Sequence, residues 1–297
     1  MTYSEIEAFL SIVETGSLTK ASELLYISQP AITHRIQSLE SELGVELIIR
    51  KKGMREVELT EAGKSFVGLA RKWRKLWDET RNVKNVKSAE PFKIAALHSL
   101  NVFILPEIYR LFLMRNNTAP LSISTVLHSY EAYPLVENGD VDIAFIATPI
   151  NSRYIDNIPL FKERMKMIYS SRKKFADIVN PEELDVNDEI MIGWSHEFKS
   201  WHEYWFGHDL KQKVFLDNIS LMQKLVSDIK GWAIVPASMA SYMRDDPRIK
   251  ICDIKDGPPD RVYYMLSLHT EKFREQKELF LEDLRSVLQN NKDIELF

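Results

Sequence analysis

The sequence predicts an α/β chain in three parts, and three observations carry that reading. Apolar positions at helical spacing fill residues 1–49. A single long apolar seam runs on from residue 60. Beyond residue 92, short apolar runs ending in polar residues alternate with helical patterns, the signature of an α/β architecture. At 297 residues with 45% hydrophobic content, the chain is long enough for about two domains with full cores. No apolar run approaches the roughly 20 residues that span a bilayer, and the opening MTYSEIEAF lacks the cationic and apolar pattern of a signal peptide. A cytoplasmic protein with no membrane partner is expected. The single Cys252 excludes a two-cysteine switch within one chain.

The first helix is expected over residues 3–15, with Ile6, Phe9, Leu10 and Val13 at i, i+3, i+4 and i+7. Ser17 caps a second, whose Ala21, Leu24 and Leu25 face inward, and Ser28 opens a third. At about 100° per residue, Ile32, Ile36, Leu39 and Leu43 form the buried stripe of that third helix. Pro30, His34, Gln37 and Ser41 point the opposite way, with Gln29 and Thr33 on the flank. Between Ser28 and Ser38 there is no carboxylate to meet phosphate repulsion. Gln can pair with adenine, Thr can bond a base or touch a thymine methyl, and His can donate to guanine or phosphate. This is the frame of a helix-turn-helix, whose second helix lies in the major groove. An ordinary solvated helix face would show the same polarity, so the surroundings matter. Runs at 45–49 and 56–59 bracket Arg50, Lys51, Lys52, Gly53, Met54 and Arg55, which reads as a hairpin with a cationic tip, a wing for the phosphate backbone.

Charge follows the same division. Residues 1–87 hold 14 Lys or Arg against 12 Asp or Glu; of the totals of 39 and 43, that leaves 25 against 31 for the rest. Positive charge concentrates over 50–87, where 12 basic residues face 5 acidic ones. In that segment Ala62, Phe66, Leu69, Trp73, Leu76, Thr80 and Val83 repeat at alternating steps of four and three, a heptad seam. Packing on its own domain accounts for Ala62 and Phe66 but not readily for Trp73, Leu76 and Val83. A helix over about 60–87 that dimerises through Phe66, Leu69, Trp73, Leu76 and Val83 is therefore expected. Residues 85–91, with Lys, Ser and Pro, read as a linker.

In the third part the strand candidates are FKIAAL, LSISTVL, DIAFIA, MKMIYSS, EIMIGW, KVFL, GWAIVP and VYYMLSLH, with helical patterns over 102–114, 130–138, 219–228 and 271–288. Such alternation favours largely parallel strands, and ligands collect outside the carboxyl ends of strands in open α/β sheets. That places Ser99, Leu100, Asn101, His128, Ser129, Trp194, Ser195 and His196 at a cleft, with Ile146 in its wall. Helix N-termini near Ser99 and Ser195 could hold a carboxylate, although each residue could equally be a plain cap. His98, His128 and His196 follow strands, yet their spacing matches no metal motif, so loop histidines are the reading adopted. Trp194, Trp201, Trp205 and Trp232 fit a core better than a pocket. No G-x-S-x-G, H-E-x-x-H, P-loop or GxGxxG sequence is present, so neither an enzyme nor a cofactor is expected.

The stretch from Phe9 to Gly63 carries A-x-x-L, SQPAIT, I-x-x-LE, LG-x-x-L, Arg50 and V-x-LT-x-AG in order and without gaps, and it resembles the N-terminal domain of LysR-type transcriptional regulators. The resemblance implies a winged helix-turn-helix reading double-stranded DNA as a homodimer or dimer of dimers on an interrupted palindrome. Carried over by motif position, contacts fall to Gln29, Pro30, Thr33, His34 and Arg35, with Ser28 and Gln37 on the same helix, and wing contacts to Arg50, Lys51, Lys52 and Arg55. Thr33 stands where the family more often has serine. NGDVDIAF and GWAIVP resemble the family's effector domain more weakly. They imply a periplasmic-binding-protein-like fold of two subdomains, a small-molecule effector, and RNA polymerase as a further partner. The expected boundaries are 1–60 for the DNA-binding domain, 61–91 for the linker helix and hinge, and 92–297 for the effector domain. Within the last, subdomain I takes 92–162 and 267–297, subdomain II takes 163–266, and crossovers fall at 161–164 and 266–268. The alternative, an effector-independent DNA-binding protein, leaves some 200 residues without a purpose.

Overall fold

The structure, a computed structural model, describes residues 1–49, 57–81, 90–116, 118–208, 212–268 and 272–297. It divides into two compact units, Met1–Ala89 and Glu90–Phe297.

In the first unit, α1 (Tyr3–Thr15) starts at a capping box, with Thr2 and Glu5 each bonding the other's backbone N–H, and stops at Gly16 with φ of 66°. Next come α2 (Leu18–Leu24), capped by Ser17, and α3 (Gln29–Leu43), capped by Ser28. A short hairpin, β1 (Ile48–Ile49) with β2 (Glu58–Leu59), leads to α4 (Glu61–Arg81). Ile6, Phe9, Leu10, Ile12, Ala21, Ile32, Ile36, Leu39 and Leu47 are its buried core. Two expectations fail at helix ends. Leu24 is exposed, because the buried face of α2 centres on Ala21 and Ser22. Leu43 is also exposed: it is the last residue before Gly44 turns the chain away at φ of 69°, and Leu47 and Ile48 fill the core instead.

The motif residues have structural reasons. The Glu40 carboxylate accepts the N–H groups of Leu47 and Ile48 at 2.8 and 3.2 Å, fixing the turn out of α3. Thr60 Oγ1 donates to the Glu46 carbonyl at 2.7 Å and accepts from the Gly63 N–H at 2.9 Å. A Cβ at Gly63 would sit 2.0 Å from the Leu47 carbonyl oxygen, so α4 can pack against the hairpin only if residue 63 has no side chain.

The long helix is described as far as Arg81, short of the expected 87, and Val83 lies outside the described residues. Trp73 corrects an expectation, because its own domain does account for it. Its ring stacks on Trp77 at 5.4 Å and lies 6.4 Å from Tyr3 of α1, with Ala70 fully buried beneath. Phe66 likewise meets Phe9 at 5.3 Å. Leu69 and Leu76, one heptad apart on the flank of this buried face, are 60% and 63% exposed, so the seam splits into an inner and an outer edge.

The second unit contains β3 (Phe92–Leu97), α5 (His98–Phe103), α6 (Leu105–Arg115), β4 (Leu121–Val126), α7 (Ser129–Glu137), β5 (Ile143–Ile146), β6 (Ile155–Glu163), β7 (Met165–Ser170), β8 (Ile178–Val179), β9 (Ile190–Ile192), α8 (His196–Phe206), β10 (Val214–Leu216), α9 (Met222–Asp228), β11 (Trp232–Pro236), α10 (Ala237–Tyr242), β12 (Ile249–Ile254), β13 (Arg261–Leu268), α11 (Arg274–Leu288) and β14 (Ile294–Leu296). Subdomain I is a six-stranded sheet of order β14-β6-β13-β5-β3-β4. Subdomain II is a four-stranded sheet of order β11-β7-β12-β8, extended beyond β11 by β9 and β10 through a bridge from Glu189 to Trp232. Each has its own apolar core.

The strands are less parallel than expected. In the first sheet only β5, β3 and β4 run parallel, while β13, β6 and β14 pair antiparallel. The first crossover falls at Arg164, inside the expected range. The second lies at 255–260 instead of 266–268, because the whole of β13 is a central strand of subdomain I, bonded to β5 on one side and β6 on the other.

Glu5 links two helices of the first unit. Its carboxylate accepts the Ser38 hydroxyl at 2.6 Å and the Thr2 N–H at 2.7 Å, and the Ser38 bond is the main reason the carboxyl is held below its ordinary value of 4.5. A depressed carboxylate stabilises the fold above its unfolded pKa, and the contribution disappears as pH falls through the folded value. Glu5→Gln should lower the stability of the first unit by roughly 1 kcal/mol near neutral pH. The gap between variant and wild type should close below pH 4.5, which urea unfolding across a pH series measures.

Candidate nucleic-acid interface and effector cleft

The local geometry of α3 suits a reading head. Ser28 Oγ accepts the Ala31 N–H at 3.4 Å, the Ser28 carbonyl accepts the Ile32 N–H at 3.2 Å, and Pro30 in the first turn has no N–H to satisfy, so the helix starts abruptly with these first donors accounted for. Ile32, Ile36 and Leu39 are fully buried. Ser28, Gln29, Pro30, His34 and Gln37 are exposed, and Thr33 and Arg35 are half-buried beside them. The turn between α2 and α3 places Tyr26 at φ of 54° with its ring 95% exposed. The wing residues Arg50, Lys51, Lys52 and Arg55 lie outside the described residues.

In subdomain I, parallel β5, β3 and β4 present their carboxyl ends on one edge, bringing Ser99, Asn101, His128, Ser129 and Thr148 to it. Several of these build the edge itself. Asn101 Nδ2 donates to the Ser124 carbonyl at 3.0 Å and to Thr125 Oγ1 at 2.9 Å, while its oxygen accepts the Tyr109 hydroxyl at 2.6 Å. Ser129 Oγ accepts the N–H groups of Ala147 and Thr148 at 3.3 and 3.1 Å, tying the start of α7 to the chain leaving β5. His128 is exposed and stacks on Tyr130 at 5.4 Å. The Glu131 carboxylate is taken by the N–H groups of Leu127 and His128. Leu100 and Ile146 are buried in the core. Ser99 is buried in the first turn of α5. The far end of that helix meets subdomain II, where Phe103 contacts Tyr242 at 5.2 Å.

Trp194, Ser195 and His196 are brought together elsewhere. They line a cavity of about 460 Å³ whose walls belong to subdomain II, without Ser99, His128 or Ser129. Ser195 Oγ caps α8 by accepting the Phe198 N–H at 3.1 Å. Trp194 is largely core, with its indole N–H donated to the Ile234 carbonyl at 2.7 Å. Among the described residues no three His, Cys, Asp or Glu side chains gather as a metal site.

Sequence reasoning missed the crossover residues. Glu163 and Arg261 face each other across β6 and β13. The Glu163 carboxyl is fully buried, accepting the Ser238 N–H and, at 3.1 Å, the Tyr263 hydroxyl; burial pushes its pKa up. The Arg261 guanidinium lies 4.7 Å over the Trp194 ring and 5.3 Å over Tyr263. Both stand among neighbouring charges, Glu163 between Lys162 and Arg164 and Arg261 after Asp260, so no signal in the sequence singled them out. Cys252, buried in β12, has its thiol pushed up to about 12, chiefly by burial.

The bacterial regulatory helix-turn-helix model of the LysR family matches residues 3–64, and the LysR substrate binding domain matches residues 87–289. The chain belongs to the LysR family. It is 30% identical over 267 residues to a probable nitrogen assimilation transcriptional activator of Synechocystis, covering 84% of each chain. To the hca operon transcriptional activator of Escherichia coli it is 26% identical, over 57% of this chain and 56% of that one. Full-length OxyR from Pseudomonas aeruginosa, a cysteine variant, shares the fold at a TM-score of 0.66 with 20% identity, covering 96% of this chain and 95% of that one. CbnR complexed with its target DNA does so at 0.62 with 21% identity, covering 97% of this chain and all of that one. The LysR chain described here is thus a DNA-binding transcriptional regulator with an effector-binding domain, and not an enzyme. Among the described residues no helix is long and apolar enough to cross a membrane.

If Gln29 reads a base edge, Gln29→Ala should lose roughly 1–3 kcal/mol on the specific operator and almost nothing on random DNA. Fluorescence anisotropy on both duplexes checks this; equal losses on the two would remove Gln29 from base reading.

Proposed function

We propose that this regulator binds double-stranded operator DNA as a cytoplasmic homodimer, or a pair of dimers, through α3 and the cationic wing. A small polar or anionic metabolite, entering between the subdomains at the carboxyl edge of β3, β4 and β5, sets the conformation. RNA polymerase is then a partner at the promoter. The observation that carries the effector reading is Ser99. Asn101, Ser129 and Glu131 spend their hydrogen bonds on the edge itself, whereas Ser99, a residue only 6% exposed, commits its hydroxyl to no partner among the described residues. It sits on the helix that touches subdomain II, so a ligand there would favour one arrangement of the subdomains over another. Ser99→Trp should abolish the effector response and leave operator binding intact, since the reading head is a separate unit. Calorimetric titration of both proteins with whichever metabolite raises the melting temperature gives the answer, and unchanged affinity in the variant would place the effector elsewhere.

For assembly, the outer edge of α4 supplies the argument. Leu69 and Leu76 present two large apolar side chains to water one heptad apart, with Trp77 42% exposed beside them. Leu69→Asp combined with Leu76→Asp should yield monomers that bind a palindromic operator poorly, because two reading heads share one site. Sedimentation velocity reads the outcome; an intact dimer would move the interface off this helix edge.

A further inference from the structure

The cavity in subdomain II holds an unsatisfied polar pair that neither the cleft nor the reading head uses. His202 is fully buried, with Nε2 2.9 and 2.8 Å from the two oxygens of the buried Glu189 carboxylate. A carboxylate only accepts, so the ring carries a proton on Nε2, and in that tautomer Nδ1 is an acceptor. That Nδ1 is buried and has no partner among the described residues, and neither has the buried Oε1 of Gln212. Both side chains line the same cavity of about 460 Å³. Buried acceptors left unpaired destabilise a fold, and native structures keep few of them. Two on one cavity point to a molecule that supplies the missing donors.

The walls define the rest of that molecule. Met191, Trp194, Phe198 and Phe215 make the space largely apolar and aromatic, and its volume is that of a small-ligand pocket. The charges at its edge are already matched: Glu203 lies 3.6 Å from Lys199 and 3.4 Å from His208. We propose that this cavity is a second binding site, for a neutral aromatic molecule bearing an O–H or N–H donor, with a phenol as the simplest member. The donor bonds His202 Nδ1 or Gln212 Oε1 and the ring packs between Phe198 and Phe215. Trp194 gives the site a route to the hinge, since the Arg261 guanidinium of the second crossover stacks on its ring. The inference does not rest on the cleft reading, because none of the cavity residues comes from the β3, β4 and β5 edge.

The test uses calorimetric titration of the full chain with phenol and with anisole, the same ring with its donor methylated. Wild type is expected to bind phenol at least about tenfold more tightly than anisole, the factor a missing donor to a buried acceptor produces. Gly193→Leu is the blocking variant. A Cβ at Gly193 meets only the Phe215 ring, at 3.8 Å, so the larger side chain grows into the space without striking backbone, and both ligands should weaken at least about tenfold. His202→Phe would strand the Glu189 carboxylate and can unfold the chain, so Gln212→Met, at a partly exposed residue, tests the polar contribution by narrowing the preference for phenol. Ser99→Trp should bind phenol as wild type does. No phenol binding to wild type up to on the order of 10 mM, equal affinities for the two probes, or full affinity in Gly193→Leu would each overturn the inference. Loss of phenol binding in Ser99→Trp would overturn it too, by assigning the ligand to the cleft.

Discussion

The C-terminal unit depends on the placement of β13. That strand arrives only after the chain has made the whole of subdomain II, yet it fills the middle of the subdomain I sheet, between β5 and β6. Without it the sheet separates into β3, β4 and β5 on one side and β6 with β14 on the other. Tyr263, Met265 and Leu266 bring the side chains that close the core. The pairing is highly non-local, a type of contact that forms slowly. The same strand sets the two crossovers side by side, because its first residue, Arg261, lies opposite the last residue of β6, Glu163.

That juxtaposition makes the hinge a structured object rather than a pair of free linkers. Glu163 is enclosed, its carboxyl bonded to Tyr263 of one subdomain and to the backbone N–H of Ser238 in the other. Arg261 contributes its charge to the Glu163 environment while its flat face covers Trp194. Any change in the angle between the subdomains must therefore disturb buried polar contacts, and packed interfaces of this kind move between discrete arrangements.

Much of this was legible in the sequence, and what escaped did so for physical reasons. The helical head could be read because its periodicity is strong and its caps, Ser17 and Ser28, stand where the pattern begins. The errors at Leu24 and Leu43 arise at helix ends, where angular position no longer decides what the core covers. Trp73 was misjudged because an aromatic ring reaches farther than a heptad argument allows, and Tyr3, which catches it, is exposed to view only once α1 and α4 are packed together. In the effector unit β6, β8 and β14 went unread. Short edge strands such as β8 and β14 have too few residues to show a period, and antiparallel pairing leaves no crossover helix to betray it. For the site, residue types at strand ends marked the carboxyl edge of β3, β4 and β5 but not which of them hold it together. Asn101 and Ser129 look like ligand contacts until their partners are known, and His202 and Gln212 stand out only when burial shows which acceptors lack donors.

The burial of Cys252 has a practical side. With the thiol pushed up to about 12, only about one molecule in 100,000 carries the reactive thiolate at neutral pH. Maleimides and mild oxidants therefore meet an almost inert sulfur in the folded protein. A cysteine introduced on the exposed face of α3 or α4 would take up a fluorophore against a nearly silent background, so the movements of the first unit can be followed by site-specific labelling without removing the native residue.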